Sequence, residues 1–409
     1  MKNTKVRLYP TDHSLKTGPM SAKTERYHGL DLLRAFAMML GLLIHASLAY
    51  TYVDPGQLPD WINLINIWIH LWRMPLFFVL AGFFGCMILQ RRGAPGFLQD
   101  RLLRVGMTLL VFASIYDPLK TLIHNLPNPP FGLQLGHLWF LYYLMGVCAV
   151  AAGVAWVMSR SGLIQTAANV LAWPAKKPWS LSLYLIPIIT LTPFARPVKG
   201  LWAIPPEAFG DFHLLPFLYY SLWFGMGAAL YWHRQTLSTL KRRGVIAGSF
   251  VLAVLTTSGI IYAQLSPNLF EAQRYNWAIY CSAVSSAAWC LFFIGLCHRL
   301  LNKENRVVSW FVELSYPIYL LHLIPSEILG GLFLELGWSA GLAFWPTVLG
   351  AFIYSVVAYY ILIKFTPLDW LLAGPKKAWF RPQWIGLGKK HEQRGVDESL
   401  GDVISPRGD

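Results

Sequence analysis

The sequence predicts an all-α polytopic membrane protein of about ten transmembrane helices, with both termini cytoplasmic. Three observations carry that reading. First, only 13% of the 409 residues are charged and 55% are hydrophobic, with a mean hydropathy of +0.44, whereas soluble chains carry about 25% charged residues. Second, ten stretches stay apolar over about 20 residues, the length that crosses a ~30 Å hydrocarbon core as a helix. Third, Lys and Arg are unevenly shared between the segments that join those stretches. This composition excludes an ordinary cytosolic enzyme, a disordered chain and a small disulfide scaffold. Eighteen Trp, 19 Tyr and 24 Phe suit the aromatic belts of a membrane interface.

The stretches run at approximately 31–51, 62–89, 103–119, 137–158, 180–194, 212–232, 245–264, 276–297, 307–333 and 343–364. No run alternates with the period of a barrel strand, and in lipid the backbone must satisfy its own hydrogen bonds, so these are read as helices. The first is read as retained. Ser47-Leu48-Ala49 faintly resembles a processing site, but the charged stretch before it extends to Arg34 and leaves too short an apolar core. The fifth is short and bounded by prolines. The ninth contains Pro317 and Pro325 and is predicted to be kinked or broken.

The net charge of +14 raises the question of nucleic acid, and its distribution answers it. Twenty-seven of the 34 Lys and Arg lie in, or at the edge of, the six segments that face inside when the N-terminus is inside. Only Lys120, Arg196, Lys199 and Arg274 fall in outward loops, and Arg34, Arg73 and Lys364 lie within spans. That is the positive-inside pattern. A basic stripe interleaved with stacking aromatics is absent, so no nucleic-acid partner is expected. The chain therefore divides into a cytoplasmic tail (1–29), a ten-helix membrane domain (30–365) and a second cytoplasmic tail (366–409). Neither tail has the size or apolar content for a domain of its own.

Five cysteines (Cys86, Cys148, Cys281, Cys290 and Cys297) fall inside spans, without a CxxC or a Cys/His metal spacing, so no metal is expected. There is no P-loop, no GxGxxG after a strand and no GxSxG elbow. Gly225-Met226-Gly227 and Gly330-Gly331 read as helix-packing sites.

Ionisable side chains inside a span cost several kcal/mol unless they face a polar cavity, so each marks a candidate site. The first span carries Asp31-Leu32-Leu33-Arg34, ten residues, then His45. Eleven steps of 100° make three turns plus about 20°, so Arg34 and His45 share a helix face, roughly 16 Å apart along the axis. Asp31 can pair with Arg34 at i,i+3. Counted from the inner helix ends, Arg73 lies at roughly 24 Å, His45 at about 21 Å and His322 at about 22 Å. Three polar groups at one depth are what a buried site needs. His70 is one turn outward of Arg73, and His137 opens the fourth span near the outer mouth. Tyr316 lies on the ninth span with Glu313. Arg34 also suits a positive-inside anchor, and each histidine also suits a structural hydrogen bond.

The same residues carry a family resemblance. The Arg-x10-His spacing in DLLRAFAMMLGLLIH (Asp31–His45) resembles the first helix of the acyltransferase-3 family of integral-membrane O-acyltransferases. RMPLFFVLAGFF (Arg73–Phe84), GHLWFLYYL (Gly136–Leu144) and SYPIYLLH (Ser315–His322) resemble later landmarks of that family in the same order. The likeness covers about residues 25–365. His70-Leu71-Trp72-Arg73-Met74 and Cys297-His298-Arg299-Leu300-Leu301 are most like a branch associated with succinylation of periplasmic glucans. Ala81 departs from the Ser usual before Gly-Phe.

The resemblance implies transfer of an acyl group, of succinyl or acetyl type, from cytoplasmic acyl-CoA to a hydroxyl of an extracytoplasmic glycan. It places the protein in a bacterial cytoplasmic (inner) membrane, with acyl-CoA as donor substrate and no tightly bound cofactor. Arg34, with Asp31, would receive the phosphate or pantetheine end of the donor. His45 would be the general base, with an acyl-histidine route also open. Arg73 or His322 would stabilise the oxyanion, or Arg73 would hold the carboxylate of a succinyl group. His70, His137 and Tyr316 would support or bind the acceptor. Buried charges near mid-membrane equally suit a secondary transporter or a flippase, although the two halves of the chain share no recurring motif. A membrane sensor or scaffold is the third class.

Overall fold

The computed structural model describes residues 27–53, 58–123, 133–177, 179–195, 206–265, 271–301 and 305–373. Both predicted tails lie almost wholly outside them. The described residues form helices and no strand, with one isolated antiparallel bridge between Gln134 and Ala208. In order these are α1 (His28–His45), α2 (Leu48–Val53), α3 (Asp60–Arg101), a π-helical turn (Leu102–Gly106) and α4 (Met107–Ile123). A 3₁₀ turn (Gly136–Leu138) leads into α5 (Trp139–Arg160), followed by α6 (Ile164–Ala172), α7 (Leu185–Ala195), α8 (Leu214–Trp232) and α9 (Thr236–Leu240). The chain continues through α10 (Arg243–Leu265), α11 (Glu271–Leu300), α12 (Arg306–Leu321), α13 (Leu323–Glu335), α14 (Ala340–Ala358) and α15 (Leu368–Ala373).

All ten predicted stretches fall on helix, but they are not ten separate straight rods. Among the described residues, seven helices are long and apolar enough to cross a membrane, and eight if the bent pair α12–α13 is one span. The second and third stretches belong to one run of 57 residues, Asp60–Tyr116. At 1.5 Å per residue that run is roughly 85 Å long, far more than one ~30 Å crossing. It breaks at Gly93, whose φ of 68° is left-handed backbone that favours glycine. The fifth stretch, Ser180–Ala195, is apolar but short. The ninth is broken as its prolines predict: α12 and α13 meet at 62°.

Local chemistry explains the ends. Asp31 sits in the first turn of α1, at the pole of the helix dipole that favours its charge, and His45 closes the last turn. Asn305 caps α12 by accepting a hydrogen bond from the Val307 N–H at 2.9 Å.

Packing then sets where polar groups can meet. α1 lies against α3, α11 and α12, and α3 lies against α8. A Cβ on Gly227 would stand 1.8 Å from the Val79 carbonyl oxygen, and one on Gly82 only 1.9 Å from that of Phe224. The two backbones touch there, as small residues at membrane-helix contacts permit. Gly227 is thus the packing site predicted, whereas a Cβ on Gly225 would meet nothing within 4 Å. Seventy-two per cent of the apolar window of Asp60–Tyr116 is buried, against 17% of that of α10. α3 is therefore central to the bundle, and α10 is peripheral. All five cysteines are free thiols.

Candidate active site

His45 ends α1, and His322 occupies the joint between α12 and α13. The joint has a covalent cause. Pro325 has no N–H to donate to the Leu321 carbonyl, and its ring crowds that oxygen, which favours a break there. Next to it, the Leu320 carbonyl accepts a hydrogen bond from the Tyr116 hydroxyl. His137 lies in the 3₁₀ turn before α5, and its carbonyl accepts from the Tyr319 hydroxyl at 2.7 Å.

These three turns bring three imidazoles together. Ring centroids are 5.1 Å apart for His45 and His322, 5.4 Å for His137 and His322, and 6.2 Å for His45 and His137. The sequence places His137 near the outer mouth. The structure brings its turn against His45 and His322, so it belongs to the central cluster. His322 is 1% exposed, and Arg73 and His137 are 8% exposed.

Arg73 joins the cluster from α3 through a notch in α1. One turn before His45 stands Gly41, where a Cβ would lie 3.0 Å from Arg73 Nη1 and 3.1 Å from His322 Nε2. The bare Cα is what lets both groups close on one point. His322 Nδ1 is 2.9 Å from the Ile318 carbonyl and 2.8 Å from that of Tyr319. Two carbonyl oxygens can only accept, so Nδ1 carries the proton and Nε2 bears the lone pair when the ring is neutral. Among the described residues, His322 Nε2, His45 Nδ1 and Arg73 Nε are buried without a hydrogen-bond partner. Buried polar atoms are normally paired, so three orphans at one focus mark a place where a ligand completes the bonding.

Beyond His45 the polar lining continues. His70 Nδ1 donates to the Asn66 carbonyl at 2.8 Å, and Asn66 Nδ2 donates to Ser47 Oγ at 3.1 Å. At the other end of α1, Arg34 pairs with Asp31 at 3.5 Å and lies over the Phe84 ring at 5.7 Å. The expected pair forms, with Arg34 still 39% exposed. Tyr316 stands at this end and not with His70 and His137, because it lies one turn of α12 before Tyr319. Its hydroxyl donates to the Arg104 carbonyl at 3.2 Å, with Arg34, Arg101 and Arg104 in electrostatic reach.

A family model described as an acyltransferase domain, Acyl_transf_3, matches residues 27–364. The chain belongs to that family. As an acyltransferase it resembles Glucans biosynthesis protein C of Salmonella typhimurium (strain LT2), at 25% identity over 397 residues covering 87% of this chain and 96% of that protein. The protein of that name from Salmonella schwarzengrund is similar to the same extent. That of Salmonella enteritidis PT4 is 24% identical over 400 residues, with the same coverage. No solved structure matches the chain. Membership decides between the classes left open by the sequence: this is a multi-pass membrane acyltransferase. The matched region holds both the histidine cluster and Arg34, Arg101 and Arg104. Gly41, Tyr116, Tyr319, Asn66 and Ser47 escaped the sequence reading. Tyr319, one turn from His322 in SYPIYLLH, carried a usable signal, whereas the glycine carried none.

Proposed function

We propose that this acyltransferase moves an acetyl- or succinyl-type group from cytoplasmic acyl-CoA to a hydroxyl of a glucan or similar glycan outside the bacterial inner membrane. The observation that carries this reading is the meeting of His45, His322 and Arg73 at Gly41, inside the bundle and roughly 16 Å along α1 from Arg34. Coenzyme A is long and thin, with phosphates at one end and the thioester at the other. Its phosphate end meets Arg34 and the arginines of the α3–α4 turn, its thioester lies at the cluster, and the acceptor enters past His70 and Asn66.

His45 takes the hydroxyl proton as the acceptor oxygen attacks the thioester carbonyl carbon. The carbonyl oxygen becomes an oxyanion, and Arg73 stabilises it in a water-poor site. Neutral His322 offers Nε2 as an acceptor, so it orients a proton-bearing partner and leaves the oxyanion to Arg73. Of the two groups expected at the oxyanion, Arg73 or His322, this reading takes Arg73. Collapse breaks the carbon–sulfur bond, and the departing thiolate takes the proton back from His45. Oxygen and sulfur exchange one acyl group and one proton, with no cofactor consumed.

The test uses proteoliposomes with radiolabelled acyl-CoA inside and glucan outside. Label bound covalently to glucan with wild type, and absent with His45→Ala, is the expected result. Passage of glucan or label across the bilayer without an ester bond sinks the reading.

A further inference from the structure

Away from the histidine cluster, the start of α10 and the end of α11 enclose an open cleft of about 320 Å³. Its floor is apolar, with Ile246, Phe250, Phe292 and Leu296, and its rim carries Arg243 and Arg299. The helices are antiparallel neighbours, locked further along by the Thr257–Ser285 hydrogen bond of 2.9 Å and by Trp289 Nε1 donating to Thr257 at 3.0 Å. The first residue of α10 and the second-last of α11 therefore bring two guanidinium groups to one end.

We propose that this cleft binds one anionic phospholipid, with its phosphate between Arg243 and Arg299 and an acyl chain lying along Phe250 and Phe292. Three features commit it to that occupant. Charge is complementary: Lys241, Arg242, Arg243 and Arg299 gather here, and residues 236–265 and 276–301 contain no Asp or Glu. Arg299 is held in place by donating from Nη1 to the Lys241 carbonyl at 3.1 Å, and a guanidinium fork suits phosphate oxygens. The two phenyl rings, 5.1 Å between centroids, lie about 10 Å of helix from the arginines, the geometry of a headgroup above an extended chain. A soluble phosphate would have no use for that floor. The exposure of α10 opens the cleft to lipid and not to another helix. Basic pockets between membrane helices at the headgroup level are where acidic lipids are recognised.

Full-length protein, purified and delipidated in detergent, is offered phosphatidylglycerol or phosphatidylcholine of identical chains and examined by native mass spectrometry. One phosphatidylglycerol is expected to be retained roughly tenfold or more over phosphatidylcholine. Arg243→Gln with Arg299→Gln should bring retention to the phosphatidylcholine level. Equal retention of the two lipids, or an unaffected double variant, overturns the proposal. Wild type alone supplies a second measurement that no folding defect obscures. Phosphatidylglycerol with a photoreactive chain should crosslink to 246–250 and 292–300, and crosslinks spread over the whole surface overturn the site. Displacement of the lipid by millimolar glycerol 3-phosphate would show a headgroup-only site and also overturn it.

Discussion

At the residue scale the site depends as much on a missing side chain as on those present. Gly41→Ala puts a methyl 3.0 Å from Arg73 Nη1 and 3.1 Å from His322 Nε2, so one of them must retreat. Displacements of about 1 Å at a reacting centre cost roughly 10²-fold. We expect kcat to fall by about that factor, with the KM for the donor little changed and thermal stability undiminished, since alanine favours helix. Gly225→Ala, which meets nothing within 4 Å, is the matched control and should be silent. A fall in KM-dependent binding alone would show that Gly41 does not position the pair. The sequence made Arg34, His45, Arg73 and His322 legible, because ionised or titratable groups are rare in a span and their depth follows from a count of residues. Gly41 was silent, since glycine at a contact looks like glycine anywhere. That His137 meets His45 and His322 was not legible, because tertiary packing alone brings the turn ahead of α5 to them.

At the element scale the break between α12 and α13 positions His322. Its proton is fixed by two carbonyls of the last turn of α12, and its ring faces the notch in α1. Pro325→Ala restores the N–H that a continuous helix needs, worth up to about 3 kcal/mol. Transfer should drop at least roughly tenfold while the melting temperature holds or rises. Unchanged transfer would show that tertiary contacts, such as Tyr116 to Leu320, set the bend by themselves. Pro317 and Pro325 made this break readable in advance, as caps and prolines are local signals. The 57-residue run was not readable as one object, because its two apolar stretches look like independent spans and only Gly93 marks the turn. Close approach of α3 and α8 at Gly82 and Gly227 depends on which helices become neighbours, information that one chain's periodicity does not hold.

At the scale of the whole molecule, the distribution of Lys and Arg predicts both ends inside. Reporters fused before residue 1 and after residue 409 should both be active only as cytoplasmic fusions. Both reporters active only outside would invert every assignment of donor and acceptor side, and a split result would mean an odd number of crossings. With that orientation, the distance from Arg34 to His45 has an electrical meaning. Under the proposed reaction donor and acceptor never share a compartment, so each turnover exchanges an acyl group moving outward for a proton moving inward. For acetyl the exchange is electrically silent. For succinyl the carboxylate travels outward with the carbonyl, and one negative charge leaves the cell. A membrane potential, negative inside, then drives that product by about 2.3 kcal/mol per 100 mV. In proteoliposomes holding a potassium diffusion potential, succinyl transfer should advance with the imposed voltage and acetyl transfer should ignore it. The voltage dependence thus distinguishes the two acyl groups.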